Sequence, residues 1–215
     1  MIIINAIIWV AEITFGEPFI NTFSLHYYKS PDFGVWQILT HMFLHAPLPN
    51  FFHILFNMFG LWMFGSVLEN LWGSKRFLIF YLICGIGAGL IHALSSVVEL
   101  NILMERFVNE KISEAEYQAK GSAIFYGIAL GASGAIMGVF AAFAYLFPNT
   151  TLLILPIPFP IKVKYWIAGL ILLDLFGGIN PRFGGGVAHF AHLGGALFGF
   201  ILVKTMNRNN RKTFY

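Results

Sequence analysis

Charge is scarce in this chain. Asp, Glu, Lys and Arg make up only 11% of its 215 residues, while hydrophobic residues make up 58%; soluble domains carry about 25% charged residues. This excludes a soluble globular domain, and no segment polar enough to form one can be cut out. Cysteine is nearly absent. Cys84 stands alone in an apolar run, so no disulfide can form within the chain. The basic residues are few and scattered through lipid-like sequence, which argues against a nucleic-acid partner. His41, His45, His53 and His192 have no cysteine or carboxylate joining them and no His-Glu-x-x-His is present, so neither a metal site nor a cofactor is expected.

What the chain has is apolar runs. Residues 2–15, 51–71, 77–98, 134–147, 161–176 and 187–205 read as six transmembrane segments, on the basis of roughly 20 residues per span. The expected fold is an all-α integral membrane protein, a compact six-helix bundle forming one domain over residues 1–215. Residues 2–15 lack a basic leader and a small-residue cleavage site and read as a retained first span rather than a signal peptide. Residues 16–50 hold four prolines and many aromatics, which suits a long first loop lying in the membrane interface. Residues 99–121, rich in Glu and Lys, read as a polar extramembrane insertion between spans three and four.

Basic residues orient the bundle. Lys75, Arg76, Lys162, Lys164, Lys204, Arg208, Arg211 and Lys212 fall on one side, and Lys29, Arg106, Lys111, Lys120 and Arg182 on the other. The first side is expected to be cytoplasmic, with both termini there, and the protein to be multi-pass in the cell (inner) membrane.

Three polar features interrupt the apolar spans. Gly131-Ala132-Ser133-Gly134 leaves one hydroxyl unshielded among small residues. At a helix start, the free N–H groups beside Ser133 favour a developing negative charge. The same run, with Gly138, suits close helix packing. His192 precedes Gly195 and Gly199, a Gly-x-x-x-Gly face that lets helices approach and would carry the imidazole toward Ser133. An intramembrane histidine is costly and is by default functional or paired; His189 fits a backbone-bonded role better. His53 and Asn57 are four apart and so share a helix face. Together they suit either an oxyanion hole or interhelical hydrogen bonds. These elements assemble a nucleophile, a base and oxyanion donors at one membrane depth. No acid partner for His192 is evident, so a Ser–His dyad is expected. Asp174 is the one candidate acid; a structural or gating role is expected for it, with orientation of a histidine as the alternative.

His53-x-x-x-Asn57, Gly131-x-Ser133-Gly134 and His192 before Gly195-x-x-x-Gly199, in that order, resemble the rhomboid intramembrane serine proteases. Trp36-Gln37, Phe43-Leu44-His45, Glu69 before Gly73-Ser74, and Asp174-Leu175-Phe176-Gly177 add to the resemblance. It implies that Ser133 attacks the scissile carbonyl in a transmembrane or juxtamembrane segment of a single-span or polytopic membrane-protein substrate. His192 would shuttle the proton, and His53, Asn57 and the Ser133 backbone N–H would hold the oxyanion. The fifth span would be a lateral gate, residues 178–186 a cap, and the site would open to the outer face. Gly131, Gly134, His189, Gly195 and Gly199 would support the site. Gln37 stands where some members have arginine, and Met137 where an aromatic often packs on the histidine. Two alternatives are an inactive relative that binds membrane clients, and a small transporter using intramembrane histidines, for which no internal repeat is present.

Overall fold

The computed structural model describes residues 1–45, 50–153, 158–180 and 188–207. Pro47, Pro49, Pro156, Arg182, the basic tail at Arg208, Arg211 and Lys212, and residues 181–186 of the expected cap lie outside them. The fold is helical: α1 (Ile2–Phe15), α2 (Glu17–Phe23), α3 (Gln37–Thr40), α4 (Phe51–Trp72), α5 (Ser74–Val108), α6 (Glu114–Tyr126), α7 (Ser133–Leu146), α8 (Val163–Ile179) and α9 (His189–Met206). Two short antiparallel pairings complete it, β1 (Leu25–His26) with β2 (Ile128–Ala129), and β3 (Thr151–Leu152) with β4 (Ile161–Lys162).

By length and composition, α4, α5 and α9 can cross a membrane, while α1 and α7 are shorter apolar helices of 14 residues. At 1.5 Å per residue, a 14-residue helix rises about 21 Å, short of the ~30 Å hydrocarbon core. Large apolar side chains such as Ile7, Trp62, Leu172 and Ile179 are exposed, as lipid-facing helices require. The chain is an integral membrane protein of helical class.

Residues 99–121, expected as an extramembrane insertion, are largely helical. Residues 99–108 do not leave the third helix; α5 runs 35 residues without a break, about 52 Å. It then reverses into α6, where the Ser113 hydroxyl accepts from Glu116 N–H at 3.2 Å, an N-cap that satisfies a free donor. Phe107 stacks on Tyr117, with ring centroids 4.6 Å apart. The segment is therefore a helical hairpin, and α6 buries no residue.

The core lies around α7, which packs between α5 and α9. Its glycines are the reason. A Cβ at Gly138 would come within 2.9 Å of the Gly195 carbonyl, and one at Gly195 or Gly199 would collide with the backbone of Gly134 or Gly138. The two helices thus touch backbone to backbone, as expected of the Gly195-x-x-x-Gly199 face. Phe64 on α4 packs edge-on against Phe140 and Phe143 of α7, seating α4 on the same helix.

Helix α1 is held by an unusual anchor. Glu12 is fully buried, and both its carboxylate oxygens accept from the His45 N–H, at 2.9 and 3.0 Å. The end of the first loop is thereby tied to the first helix.

Candidate active site

Ser133 is the first residue of α7. The segment leading to it is fixed from two directions. Residues Ile128 and Ala129 pair with His26 and Leu25 of the first loop. Gly131 N–H donates to the His41 carbonyl at 2.9 Å. Gly131 has φ +127°, a conformation that glycine adopts without a side-chain penalty. It turns the chain into the helix so that the Ser133 hydroxyl sits at the helix mouth, where first-turn N–H groups lack intrahelical partners.

His192 lies in the first turn of α9. Its Nε2 is 2.7 Å from Ser133 Oγ. The expected approach of these two residues, 59 positions apart, follows from the glycine contact of α7 and α9. His53 lies across from them. A Cβ built at Gly131 would stand 3.0 Å from His53 Nε2 and 3.7 Å from Ser133 Oγ, so the imidazole and the hydroxyl flank the same glycine. Asn57, one turn on, donates from Nδ2 to the His53 carbonyl at 2.9 Å, which leaves its second amide hydrogen available.

Ser133, His192, His53, Asn57 and Met137 all line one open cleft of about 1140 Å³. The remaining candidate residues serve differently. Gly134, Gly195 and Gly199 form the helix contact, and Gly131 the turn.

Asp174 is where the sequence reading needs correction. No acidic neighbour of His192 was expected, yet Asp174 Oδ1 lies 3.0 Å from His192 Nδ1 and 2.8 Å from His189 Nδ1. Asp174 thus has two histidine partners, which agrees with the alternative that it orients a histidine, and His189 Nδ1 meets this carboxylate rather than a backbone carbonyl. The cause is register across two helices. His189 and His192 are three apart and project from one face of α9, and Asp174 on α8 faces both. The cleft also takes in His92, Ser96 and Glu99 of α5, which sequence reasoning did not connect to the site because Glu99 read as the start of a separate segment.

The site thus sets a serine hydroxyl against an imidazole, at the start of a helix in an open cleft. The family profile described as Rhomboid domain matches residues 32–209 of this chain. The chain belongs to the rhomboid family. Rhomboid protease AarA of Providencia stuartii is 28% identical over 215 residues, covering 94% of this chain and 69% of that protein. The human mitochondrial presenilin-associated rhomboid-like protein is 34% identical over 150 residues, 69% of this chain and 32% of that protein. Mitochondrial Rhomboid protein 1 of Saccharomyces cerevisiae is 29% identical over 151 residues, 70% of this chain and 37% of that protein. The chain thus spans about a third of the length of these mitochondrial rhomboids.

Proposed function

We propose that this rhomboid is an intramembrane serine endopeptidase that cleaves transmembrane or juxtamembrane segments of membrane-protein substrates. The observation that carries the proposal is the 2.7 Å contact between Ser133 Oγ and His192 Nε2. In the reaction, Oγ bonds to the scissile carbonyl carbon while its proton passes to His192 Nε2. The carbonyl becomes an oxyanion, held by the Ser133 N–H, His53 and Asn57. Collapse breaks the C–N bond, and the leaving amine takes the proton from His192. A water, activated by the same nitrogen, then hydrolyses the acyl-serine.

The name of the Providencia relative supports protease activity, and the open cleft supports entry of water together with an extended segment. The same arrangement disfavours an inactive client-binding relative, which has no need of a hydroxyl held against an imidazole. Lys75 and Arg76 begin α5, Lys162 and Lys164 flank the start of α8, and Lys204 lies in the last turn of the helix whose first turn carries His192; on this basis we assign that end to the cytoplasm of a cell-membrane protein and the site to the outer face.

The test is reaction of the detergent-solubilised protein with a fluorophosphonate probe. Wild type should label, while Ser133→Ala should not and His192→Ala should label at least ~10²-fold more slowly. No labelling of wild type, or equal labelling of Ser133→Ala, rules the reading out.

A further inference from the structure

We infer that the part of the cleft walled by α5 and the end of α6 is a substrate subsite, in which Glu99 selects a lysine or arginine roughly three to five residues from the scissile bond. The inference rests on the protease reading above and names the substrate class of that same site. Its basis is one face of α5. Gly85 and Ala88 on that face pack on α7: a Cβ at Gly85 would stand 3.4 Å from the Ala135 Cβ, and one at Gly134 would stand 2.6 Å from the Ala88 Cβ. Helix α7 starts at Ser133, so beyond that level the same face of α5 is free of it. His92, Ser96 and Glu99 continue the stripe at helical spacing, and they line the cleft that holds Ser133 and His192. Helix α6 packs on α5, and its Ala123 and Ile124 line the same cleft.

Two of these groups are acceptors that lack a donor. Glu99 is exposed, and it makes no ion pair among the described residues. Ser96 gives its one hydroxyl hydrogen to the His92 carbonyl at 3.1 Å, which leaves its oxygen to accept. A carboxylate and a hydroxyl oxygen on one helix face suit an ammonium or guanidinium, and they repel a second carboxylate. The part of the cleft contributed by α4 and α8 is apolar at Phe52, Phe56, Leu170 and Leu173. The apolar stretch of a membrane segment matches those residues, and its charged flank matches Glu99. The spacing follows from the helix. Ala88 is level with Gly134, and Glu99 lies beyond it by about 16 Å of helix rise. The glutamate side chain leans back toward the helix start. An extended chain covers the remaining distance in roughly three to five residues, at about 3.3 Å each. Lys75 and Arg76 open α5 at its other end, so the selected charge belongs to the side of the substrate that faces away from the cytoplasm. Basic residues are depleted there, which makes selection for one discriminating.

The experiment uses a single-span reporter substrate in which each position within about five residues of the scissile bond, on either side, is changed in turn to lysine, alanine or glutamate. The kcat/KM of each reporter is measured in detergent for wild type, Glu99→Gln and Glu99→Lys, at low and high salt. Within the window named above, wild type should cleave lysine reporters about threefold to tenfold faster than their alanine counterparts, and glutamate reporters more slowly. Added salt should shrink the preference. Glu99→Gln should bring the lysine-to-alanine ratio close to unity, and Glu99→Lys should favour glutamate. Wild type that labels with the fluorophosphonate probe, yet cleaves no lysine reporter faster than its alanine counterpart, overturns the subsite and leaves the protease reading standing. A lysine preference that survives in Glu99→Gln also overturns the inference, since Glu99 is then not its source. Wild type that neither labels nor cleaves brings down the protease reading and the subsite with it. Should the Glu99 variants not fold, the wild-type reporter ratios and their salt dependence decide alone.

Discussion

At the residue scale, the site consists of polar groups that apolar sequence makes conspicuous. Ser133, His192, His53 and Asn57 were legible because a hydroxyl, two imidazoles and an amide stand out in spans with so little charge. Asp174 stood out as well, but its partner did not. It reaches His189 and His192 only after the chain has left α8, passed through a glycine-rich stretch and begun α9. Spacing within one helix is set by 3.6 residues per turn, whereas register between two helices depends on packing that no local pattern encodes. Asn57 carries a prediction at this scale. One amide hydrogen is committed to the His53 carbonyl at 2.9 Å, and the other is free for an oxyanion. Asn57→Ala should leave the fold intact and lower kcat by about 10²-fold, in line with loss of one oxyanion donor. Reporter-substrate turnover beside a thermal melt measures both. Unchanged turnover removes Asn57 from the oxyanion role.

At the element scale, the contact of α7 with α9 brings the Ser133 hydroxyl to the His192 imidazole. The Gly-x-x-x-Gly motif announced it, since a pair of glycines on one face has little other purpose in an apolar helix. The ends of helices were less legible. Residues 99–108 read on charge as part of an exposed helix or hairpin separate from the third span, yet they extend α5, because charged residues such as Glu and Arg are good helix formers. The short β1–β2 pairing, which steadies the approach to Ser133, left no periodic signal in two-residue strands. Valine at Gly195 or Gly199 tests the packing. Each would drive a branched side chain into the backbone of Gly134 or Gly138, where α7 has no side chain to move aside. Overpacking of this kind costs about 1–3 kcal/mol. Both variants should melt earlier, and fluorophosphonate labelling should fall by more than the melting shift explains, because His192 moves off Ser133. Normal labelling in both would mean that the glycine contact does not set the site.

At the scale of the whole molecule, the site depends on a scaffold that sequence reading barely anticipated: the first loop. It was read as interfacial, and it also holds the serine segment. The His41 carbonyl accepts from Gly131 N–H, and the His45 N–H is bound by buried Glu12. The imidazoles of these two loop residues are themselves buried. Burial depresses the His41 pKa to about 4, with the nearby His92 adding to the effect and the Nδ1–H bond to the Gln37 carbonyl opposing it. Burial likewise depresses His45 to about 3, with His53 adding to it. Both groups are neutral in the folded protein where an unfolded histidine, near 6.5, would take a proton. At these two groups the unfolded state therefore binds more protons than the folded one below about pH 6.5, and their contribution to stability falls as pH falls. The His41 contribution is complete above its unfolded pKa and is gone near pH 4, and that of His45 extends further, to near pH 3. Thermal unfolding in detergent across pH 7.5 to 4 should show a steady decline in Tm below about pH 6.5. His41→Gln, which cannot take up a proton, should flatten that decline while lowering Tm at neutral pH, since the Nδ1–H bond to Gln37 is lost. A His41→Gln profile parallel to wild type would exonerate His41 and leave the decline to other groups. Labelling at Ser133 measured along the same series should follow the Tm, because the loop that protonation loosens is the one that places Gly131.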